Sequence, residues 1–205
     1  MKLYYMPGTC SLADHIVLEW IGKPYEAKRM SHDELKSPAY LKLNPNGAVP
    51  VLEDGDFVLT QNAAILNYLA DLNPQSRLGG DGTPKSRAEI NRWLAFVNAD
   101  VHPAFAPLFG ATAYLDNPAA VDKTKDAART KLRDYFEKID AQLVGRDWLV
   151  GERSIADPYL FVTLRWARKF GVDLSGLGNI EGFMQHMEDN VEVRKVMAAE
   201  RSEHA

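Results

Sequence analysis

Cys10 is the only cysteine among the 205 residues, and the sequence places it at a strand-to-helix corner. It follows the turn residues Pro7 and Gly8 and precedes an amphipathic stretch that starts near Leu12. Backbone N–H groups and the macrodipole at a helix start favour negative charge, so this position lowers the pKa of a thiol by about one at most. The corner therefore predicts either a partly ionised nucleophile or a small, inert, buried side chain.

A second candidate site lies in the stretch NPNGAVPVL, in which Pro50 opens an apparent strand. Proline has no N–H to give to a sheet, so it belongs at a strand start, an edge or a turn. A cis Val49–Pro50 bond would leave the N–H and C=O of Val49 open to an extended peptide, which would pair with them like an added strand. A trans bond is the alternative and the commoner case.

The stretch LTQNAAILNYLADL places Gln61 and Asn62 at the start of a predicted helix. That terminus can bind a carboxylate, and the two amides add donors and acceptors. The alternative is that Asn62 or Thr60 only caps the helix.

His102 lies on a predicted helix that Pro103 should kink, because proline removes an N–H and clashes with the preceding turn. A histidine at a kink can face a cleft, although a lone helical histidine is more often structural. Phe105, Phe109 and Trp166 either line an apolar pocket near it or pack in the core.

Composition fits a globular protein, with 46% hydrophobic residues, 25% charged residues and a net charge of −4. Lys and Arg are spread along the chain, which argues against a nucleic-acid groove or a polybasic membrane patch. A single cysteine excludes an intramolecular disulfide and a cysteine-built zinc site. No apolar run approaches the roughly 20 residues of a membrane span, and the N-terminus lacks a signal-peptide pattern. A cytoplasmic protein is predicted.

Two halves of different character must position these residues. Residues 1–74 mix short apolar runs with helical periodicity and predict the order β-α-β, a loop with one short helix, then β-β-α. Residues 75–86 contain glycines and a proline that interrupt the helical and strand patterns, which predicts a linker. Residues 87–205 show only helical patterns, with three long helices and two shorter ones. The predicted fold class is α/β followed by an all-α domain.

Taken together, these stretches resemble the glutathione S-transferase family, and within it the bacterial beta class. The resemblance implies a thioredoxin-like, glutathione-binding domain, and a helical-bundle domain that contributes the hydrophobic substrate site. It also implies a homodimer. The stretches that carry it occur in the family's order: MKLYYMPGTCSLADHIVL, NPNGAVPVL, TQNAAILNYLADLNP, RWLAFVNADVHPAFAPLF and VGERSIADPYLF.

The resemblance implies roles for residues of the first domain. Cys10 would lie against the glutathione sulfur. Val49 would pair its backbone with the cysteinyl unit, beside a cis Pro50. Gln61 and Asn62 would hold the γ-glutamyl end.

Further roles follow from the same resemblance. His102 would reach the thiol region from the helical domain, and Asp100 would bind the γ-glutamyl amine, either within its own subunit or across the dimer. Tyr5, at the end of the first strand, would either donate a hydrogen bond to a thiolate or pack in the core. Ser154 and Asp157 form a capping motif, for which we expect a folding role and no catalytic one.

The predicted function is conjugation of glutathione to small hydrophobic electrophiles, in the manner of detoxification enzymes. Glutathione would be the co-substrate, without a metal. Cys10 would allow a second chemistry, thiol–disulfide exchange through a mixed disulfide with glutathione. The alternative is a non-catalytic carrier or interaction protein on the same fold.

Overall fold

The computed structural model describes residues 1–202, and its first domain is built on one four-stranded sheet in the spatial order β2-β1-β3-β4. β1 runs parallel to β2 and antiparallel to β3, while β3 and β4 form a hairpin. This topology confirms the predicted order of strands. The strands are β1 (Lys2–Tyr5), β2 (Glu26–Arg29), β3 (Val51–Asp54) and β4 (Phe57–Thr60).

The sequence predicts one short helix between β2 and β3, and the structure has two. α2 (His32–Leu35) follows Ser31, and α3 (Pro38–Leu43) follows Ser37. Each serine hydroxyl accepts a hydrogen bond from the backbone N–H three residues later, at 3.3 Å and 3.2 Å. Such caps satisfy first-turn N–H groups that have no helical partner, which is why each serine starts its own helix.

α1 (Ser11–Ile21) carries Cys10 at its N-terminal end and is buried on nearly every face. It packs against α4 (Asn62–Leu72) of its own domain and against two helices of the second domain. Gly22 ends α1 in the left-handed conformation, with φ +73°, which glycine adopts without steric cost. α1 therefore connects the thiol to both halves of the molecule.

The second domain is helical throughout its described part, as predicted. α5 begins at Pro84, inside the stretch predicted as a linker, so the exact domain boundaries stay a prediction. Residues 203–205 of the predicted helical domain lie outside the described residues. The helices are α5 (Pro84–Phe96), α6 (His102–Ala104), α7 (Pro118–Gln142), α8 (Ala156–Lys169), α9 (Gly178–Asp189) and α10 (Val191–Ser202).

A π-helical turn over Val97–Val101 joins α5 to α6. The N–H of His102 bonds to the carbonyl of Val97, five residues back. The sequence predicts only a kink at Pro103, and the π turn immediately before it was missed. π turns inside helices occur often at functional sites, and this one delivers His102.

The two domains share one continuous apolar core. Across this boundary, the indole N–H of Trp166 donates to the Gly8 carbonyl at 2.9 Å. Gly8 belongs to the turn before Cys10, so a helical-domain side chain holds that turn. Within residues 1–202, no helix is both long and apolar enough to cross a membrane.

Asp157 is fully buried and joins the start of α8 to the loop before it. Its carboxylate accepts hydrogen bonds from the Ser154 N–H at 2.7 Å, the Ser154 hydroxyl at 2.8 Å and the Leu149 N–H at 2.9 Å. The predicted cap is slightly displaced, because Ile155 takes the N-cap position and the Ser154 hydroxyl accepts from Ala156. The motif closes on itself and faces no cleft, which supports the expected folding role.

Candidate active site

A cleft of about 430 Å³ lies between the two domains. It gathers seven residues that the sequence singled out: Cys10, Val49, Pro50, Gln61, Asn62, His102 and Phe109. The remaining lining residues are Asn44, Asn46 and Ala48 from the first domain, and Asn98, Pro103, Ala106 and Tyr159 from the second.

Cys10 occupies the N-cap of α1 and is half-buried, and its sulfur lies 3.8 Å from the Val49 carbonyl oxygen. Burial raises the pKa of the Cys10 thiol to about 12, and the nearby Asp14 carboxyl raises it further. The backbone N–H groups of Cys10 and Ser11 act in the opposite direction but are outweighed. The expectation of a partly ionised Cys10 is therefore wrong for the unliganded protein, because desolvation exceeds the stabilisation from the helix start.

Unliganded Cys10 should consequently alkylate slowly. Against an ordinary thiol of pKa about 8.5, the thiolate fraction near neutral pH is about three-thousandfold lower, while the greater basicity recovers a factor of about 30–50. We expect iodoacetamide to react about 50- to 100-fold more slowly than with free glutathione, at a rate still rising above pH 9. A rate equal to that of free glutathione, or one that levels off below pH 9, would contradict this. Cys10 is the only thiol in the chain, so no other site contributes.

The Val49–Pro50 peptide bond is cis, as the resemblance implies. In the described part of the chain, no group accepts a hydrogen bond from the Val49 N–H. The loop before it is held at the Ala48 carbonyl, which accepts from the Tyr40 hydroxyl at 2.8 Å and the Asn44 amide at 2.7 Å. The result is a fixed main-chain edge that is open to a peptide ligand.

Gln61 lies just before α4 with φ +75°, a conformation that costs a non-glycine residue about 1–3 kcal/mol. Such strained residues cluster at ligand sites, and the Gln61 side chain is exposed at the cleft. Asn62 is buried and turned inward, where one terminal atom of its amide lies 2.6 Å from Asp14 Oδ2 and 3.1 Å from Oδ1. The two amides therefore differ in kind, since one is free for a ligand and the other is engaged with the core.

His102 reaches the cleft wall, and its Nδ1 lies 2.6 Å from the Tyr159 hydroxyl. The same hydroxyl donates to Asn98 Oδ1 at 3.2 Å. The His102 ring packs edge-on against Trp166, with ring centroids 4.8 Å apart. Burial lowers the pKa of His102, so the imidazole is neutral near neutral pH, with one nitrogen as donor and the other as acceptor.

Of the predicted aromatic residues near the cleft, one lines it and two pack in the core beneath it. Phe109 lines the cleft and is 47% exposed. Phe105 is fully buried and stacks under Phe109, while Trp166 is buried and supports both Phe109 and His102. Of Phe105, Phe109 and Trp166, only Phe109 thus has a ring that a ligand in the cleft can contact directly.

Two predicted site residues lie outside the cleft. Tyr5 is buried in the first-domain core, with its ring 4.9 Å from that of His15, so the structure supports the core-packing alternative over a thiolate donor in the cleft. Asp100 is exposed on the π turn but does not line the cleft of its own chain. A role for Asp100 would therefore need a second subunit.

Sequence reasoning missed Tyr159, Asn98 and Asp14. Tyr159 reads as one more apolar position of a buried helix, and only the fold brings it to His102. Asp14 did leave a signal, because it lies four residues after Cys10 and so shares its helix face. A carboxyl group on an otherwise apolar face, one turn beyond a cysteine, marks a position to examine.

The comparisons with known proteins agree with this geometry. Residues 1–71 match the family model of the glutathione S-transferase N-terminal domain, and residues 93–190 match that of the C-terminal domain. Glutathione S-transferase GST-4.5 of Xanthomonas campestris is 57% identical over 201 residues, which cover 98% of each chain. The solved glutathione S-transferase of Xylella fastidiosa is 53% identical, with a TM-score of 0.95 over 97% of this chain and 98% of that one.

A third relative is the bacterial beta-class glutathione S-transferase of Sphingomonas chungbukensis, which is 34% identical. Its structure superposes with a TM-score of 0.85 over 98% of this chain and 99% of that one. A thioredoxin-like domain followed by a helical domain, with the cleft between them, defines a class of two-domain transferases. The chain belongs to the glutathione S-transferase family, as the sequence resemblance predicts.

No group of three or more His, Cys, Asp and Glu side chains within residues 1–202 is arranged to hold a metal ion.

Proposed function

We propose that the protein binds glutathione along the open edge at Val49 and transfers its thiolate to small hydrophobic electrophiles. The observation that carries this proposal is the meeting of three features in one cleft: the free backbone beside cis Pro50, the start of α1 at Cys10, and the start of α4 at Gln61. The first suits the peptide core of glutathione, the second its sulfur and the third its γ-glutamyl carboxylate.

The bound sulfur is activated by donors that are already in place. The N–H groups of Cys10 and Ser11 face the Cys10 sulfur at the start of α1, and they stabilise a second sulfur that is brought next to it. On the opposite wall of the cleft, His102 presents a neutral imidazole that the Tyr159 hydroxyl holds in place. The glutathione thiol loses its proton to water in the open cleft, the thiolate attacks the electrophile, and the leaving group departs with the electron pair of the broken bond.

The electrophile binds against the helical domain. Phe109, Pro103 and Ala106 offer an apolar surface there, beside the polar groups of Asn98, His102 and Tyr159. The apolar part favours substrates by hydrophobic burial, which fits a range of small hydrophobic electrophiles.

Thiol–disulfide exchange is the second chemistry. Cys10, after losing its proton to water in the open cleft, attacks a glutathione mixed disulfide, forms Cys10–S–S–glutathione and releases the other thiolate. A second glutathione thiolate then attacks this bond, releasing glutathione disulfide and the Cys10 thiolate. Because burial holds Cys10 as a thiol, this branch is the slower one near neutral pH.

We further propose that the protein is a cytoplasmic homodimer that acts in detoxification. The exposed Asp100 beside the cleft, and the exposed apolar side chains of Phe57 and Val58 on the edge strand β4, support a partner subunit.

The test is a calorimetric titration with glutathione, followed by a conjugation assay with a generic aryl halide. We expect one glutathione per chain and turnover that depends on both substrates. A folded protein that neither binds glutathione nor conjugates it would refute the transferase function and favour the carrier.

A further inference from the structure

Asn98 is a polar side chain on the helical-domain wall of the cleft, against which the proposed electrophile binds. It lies on the π turn before His102, is exposed, and lines the cleft. The same wall carries the apolar residues Pro103, Ala106 and Phe109. Among residues 1–202, no Asp, Glu, Lys or Arg lines this cleft. Polar recognition of an electrophile by side chains of this wall therefore depends on neutral hydrogen-bonding groups.

The Tyr159 hydroxyl fixes the orientation of the Asn98 amide, because it donates to Asn98 Oδ1 at 3.2 Å. Tyr159 is buried on α8, and burial, with the nearby Cys10 as the next cause, raises the pKa of its hydroxyl, which thus keeps its proton near neutral pH. An amide whose oxygen is held in this way directs its Nδ2 group, with two hydrogens, elsewhere. In the described part of the chain, nothing accepts a hydrogen bond from Asn98 Nδ2.

The other two polar side chains of this wall have no donor left for a substrate. Tyr159 has one proton, which goes to Asn98, so the bond of 2.6 Å between its hydroxyl oxygen and His102 Nδ1 takes its proton from the imidazole. A neutral imidazole carries a single N–H, and His102 Nε2 is therefore an acceptor. Asn98 Nδ2 remains as the side-chain donor that the helical-domain residues of this described cleft offer to an electrophile.

We propose that Asn98 determines which electrophiles are favoured, because its Nδ2 donates a hydrogen bond to the carbonyl oxygen of an α,β-unsaturated carbonyl compound. This inference rests on the proposed function, since it assumes that glutathione supplies the thiolate.

The reaction of such a compound places charge where Asn98 can stabilise it. The glutathione thiolate forms a C–S bond at the β-carbon, and the electron pair of the C=C bond moves until the carbonyl oxygen carries the negative charge. Water, which took up the proton of the thiol, returns a proton to the α-carbon, and no leaving group departs. A hydrogen bond from a fixed donor strengthens as this charge develops, and it therefore lowers the barrier.

An alkyl iodide provides the matched comparison, because it carries no oxygen. Thiolate attack displaces iodide, which takes the electron pair of the C–I bond into the water of the open cleft. Asn98 should therefore contribute to the rate with the unsaturated carbonyl compound and not to the rate with the iodide. The ratio of the two kcat/KM values isolates this contribution from any change in glutathione binding or thiolate formation.

The test measures kcat/KM for cyclohexenone and for hexyl iodide at saturating glutathione, with the uncatalysed rates subtracted, and the glutathione Kd by calorimetry. Asn98→Ala should lower kcat/KM with cyclohexenone by about 10- to 100-fold, since one donor to a developing oxyanion contributes about 100- to 1,000-fold in a closed site and less in an open one. The value with hexyl iodide and the glutathione Kd should stay within about threefold of wild type. Asn98→Asp keeps the shape without the donor, and it should lose at least as much with cyclohexenone, because its carboxylate repels the developing charge.

Tyr159→Phe releases the Asn98 amide without removing it, and it should lower the ratio of cyclohexenone to hexyl iodide activity by about three- to tenfold. The double variant Asn98→Ala/Tyr159→Phe should have the ratio of Asn98→Ala alone, because Tyr159 acts on this ratio only through Asn98. Asn98 is exposed, so Asn98→Ala should unfold at the same denaturant midpoint as the wild type.

Equal losses with cyclohexenone and hexyl iodide in Asn98→Ala would overturn the inference, as would full cyclohexenone activity in Asn98→Asp. A wild-type protein that accelerates the hexyl iodide reaction more than the cyclohexenone reaction, relative to the uncatalysed rates, would also overturn it. Failure of the wild-type protein to bind glutathione would refute the proposed function and this inference with it. Intact glutathione binding and conjugation, with a substrate ratio indifferent to Asn98, would refute the inference alone.

Discussion

Replacing Cys10 by alanine should abolish glutathione-dependent disulfide reduction and leave glutathione conjugation within about tenfold of wild type. Exchange needs a sulfur at this position to form the mixed disulfide, so we expect a loss of at least about a hundredfold, to the background of the uncatalysed reaction. Conjugation uses the sulfur of glutathione itself, and Cys10 contributes only packing and polarity beside it. The measurement is kcat/KM with hydroxyethyl disulfide and with an aryl halide for the same protein preparation.

Cys10→Ser is the matched control, because it keeps a small polar side chain at the N-cap of α1 without the thiol. It should be as inactive in disulfide reduction as Cys10→Ala, and at least as active in conjugation. Disulfide reduction at the wild-type rate in Cys10→Ala would show that the exchange runs between glutathione molecules alone. A hundredfold loss of conjugation would show that Cys10 belongs to the conjugation machinery itself.

Replacing Asp157 by alanine should destabilise the fold by about 3–5 kcal/mol. The change leaves buried hydrogen-bond donors of Ser154 and Leu149 without an acceptor and creates a cavity. The loss would be measured by denaturant unfolding monitored by circular dichroism. Asp134, exposed on α7, provides the control, and Asp134→Ala should change the stability by no more than about 0.5 kcal/mol. A loss below about 1 kcal/mol in Asp157→Ala would contradict the structural role given to this carboxyl group.

The Asp157 contribution should also depend on pH with a defined sign. Burial raises the pKa of the folded carboxyl to about 6, above the value of about 3.9 expected in the unfolded chain. The contribution of Asp157 to the free energy of unfolding is therefore fully present below the pKa of the unfolded chain. It is lost as the pH rises through the folded-state pKa of about 6. The stability difference between wild type and Asp157→Ala should accordingly be larger on the acid side of this value than on the alkaline side.

The sequence predicts the architecture well because local patterns specify it. Alternation and turn residues mark the hairpin of β3 and β4, helical periodicity marks the second domain, and the motif at Ser154 and Asp157 marks the start of α8. Seven of the cleft residues were also predicted, and six of them, all except Phe109, stand at a break between elements where backbone groups are exposed. Local chemistry is readable from a sequence when the signal and the structure lie within a few residues.

The failures share one physical cause, which is that burial depends on the whole fold. The raised pKa of Cys10 follows mainly from desolvation by burial, which an argument from the helix start alone does not include. Tyr5 ends a strand as expected, but its side chain points into the core, which a single strand does not reveal. The pairing of His102 with Tyr159 joins positions 57 residues apart, and no spacing rule connects them.

The π turn at Val97–Val101 has a consequence for how the helical domain can change. Each residue in an α-helix advances the side-chain direction by about 100°, so one residue beyond the regular count turns everything downstream by that angle. Ile90 and Trp93 before the turn thus lie in the core, while His102, directly after it, reaches the cleft wall. Substitutions of cleft-lining residues after the turn, such as Ala106, can change which electrophiles are accepted while the buried residues before it keep the core in place, so substrate range and stability can evolve separately.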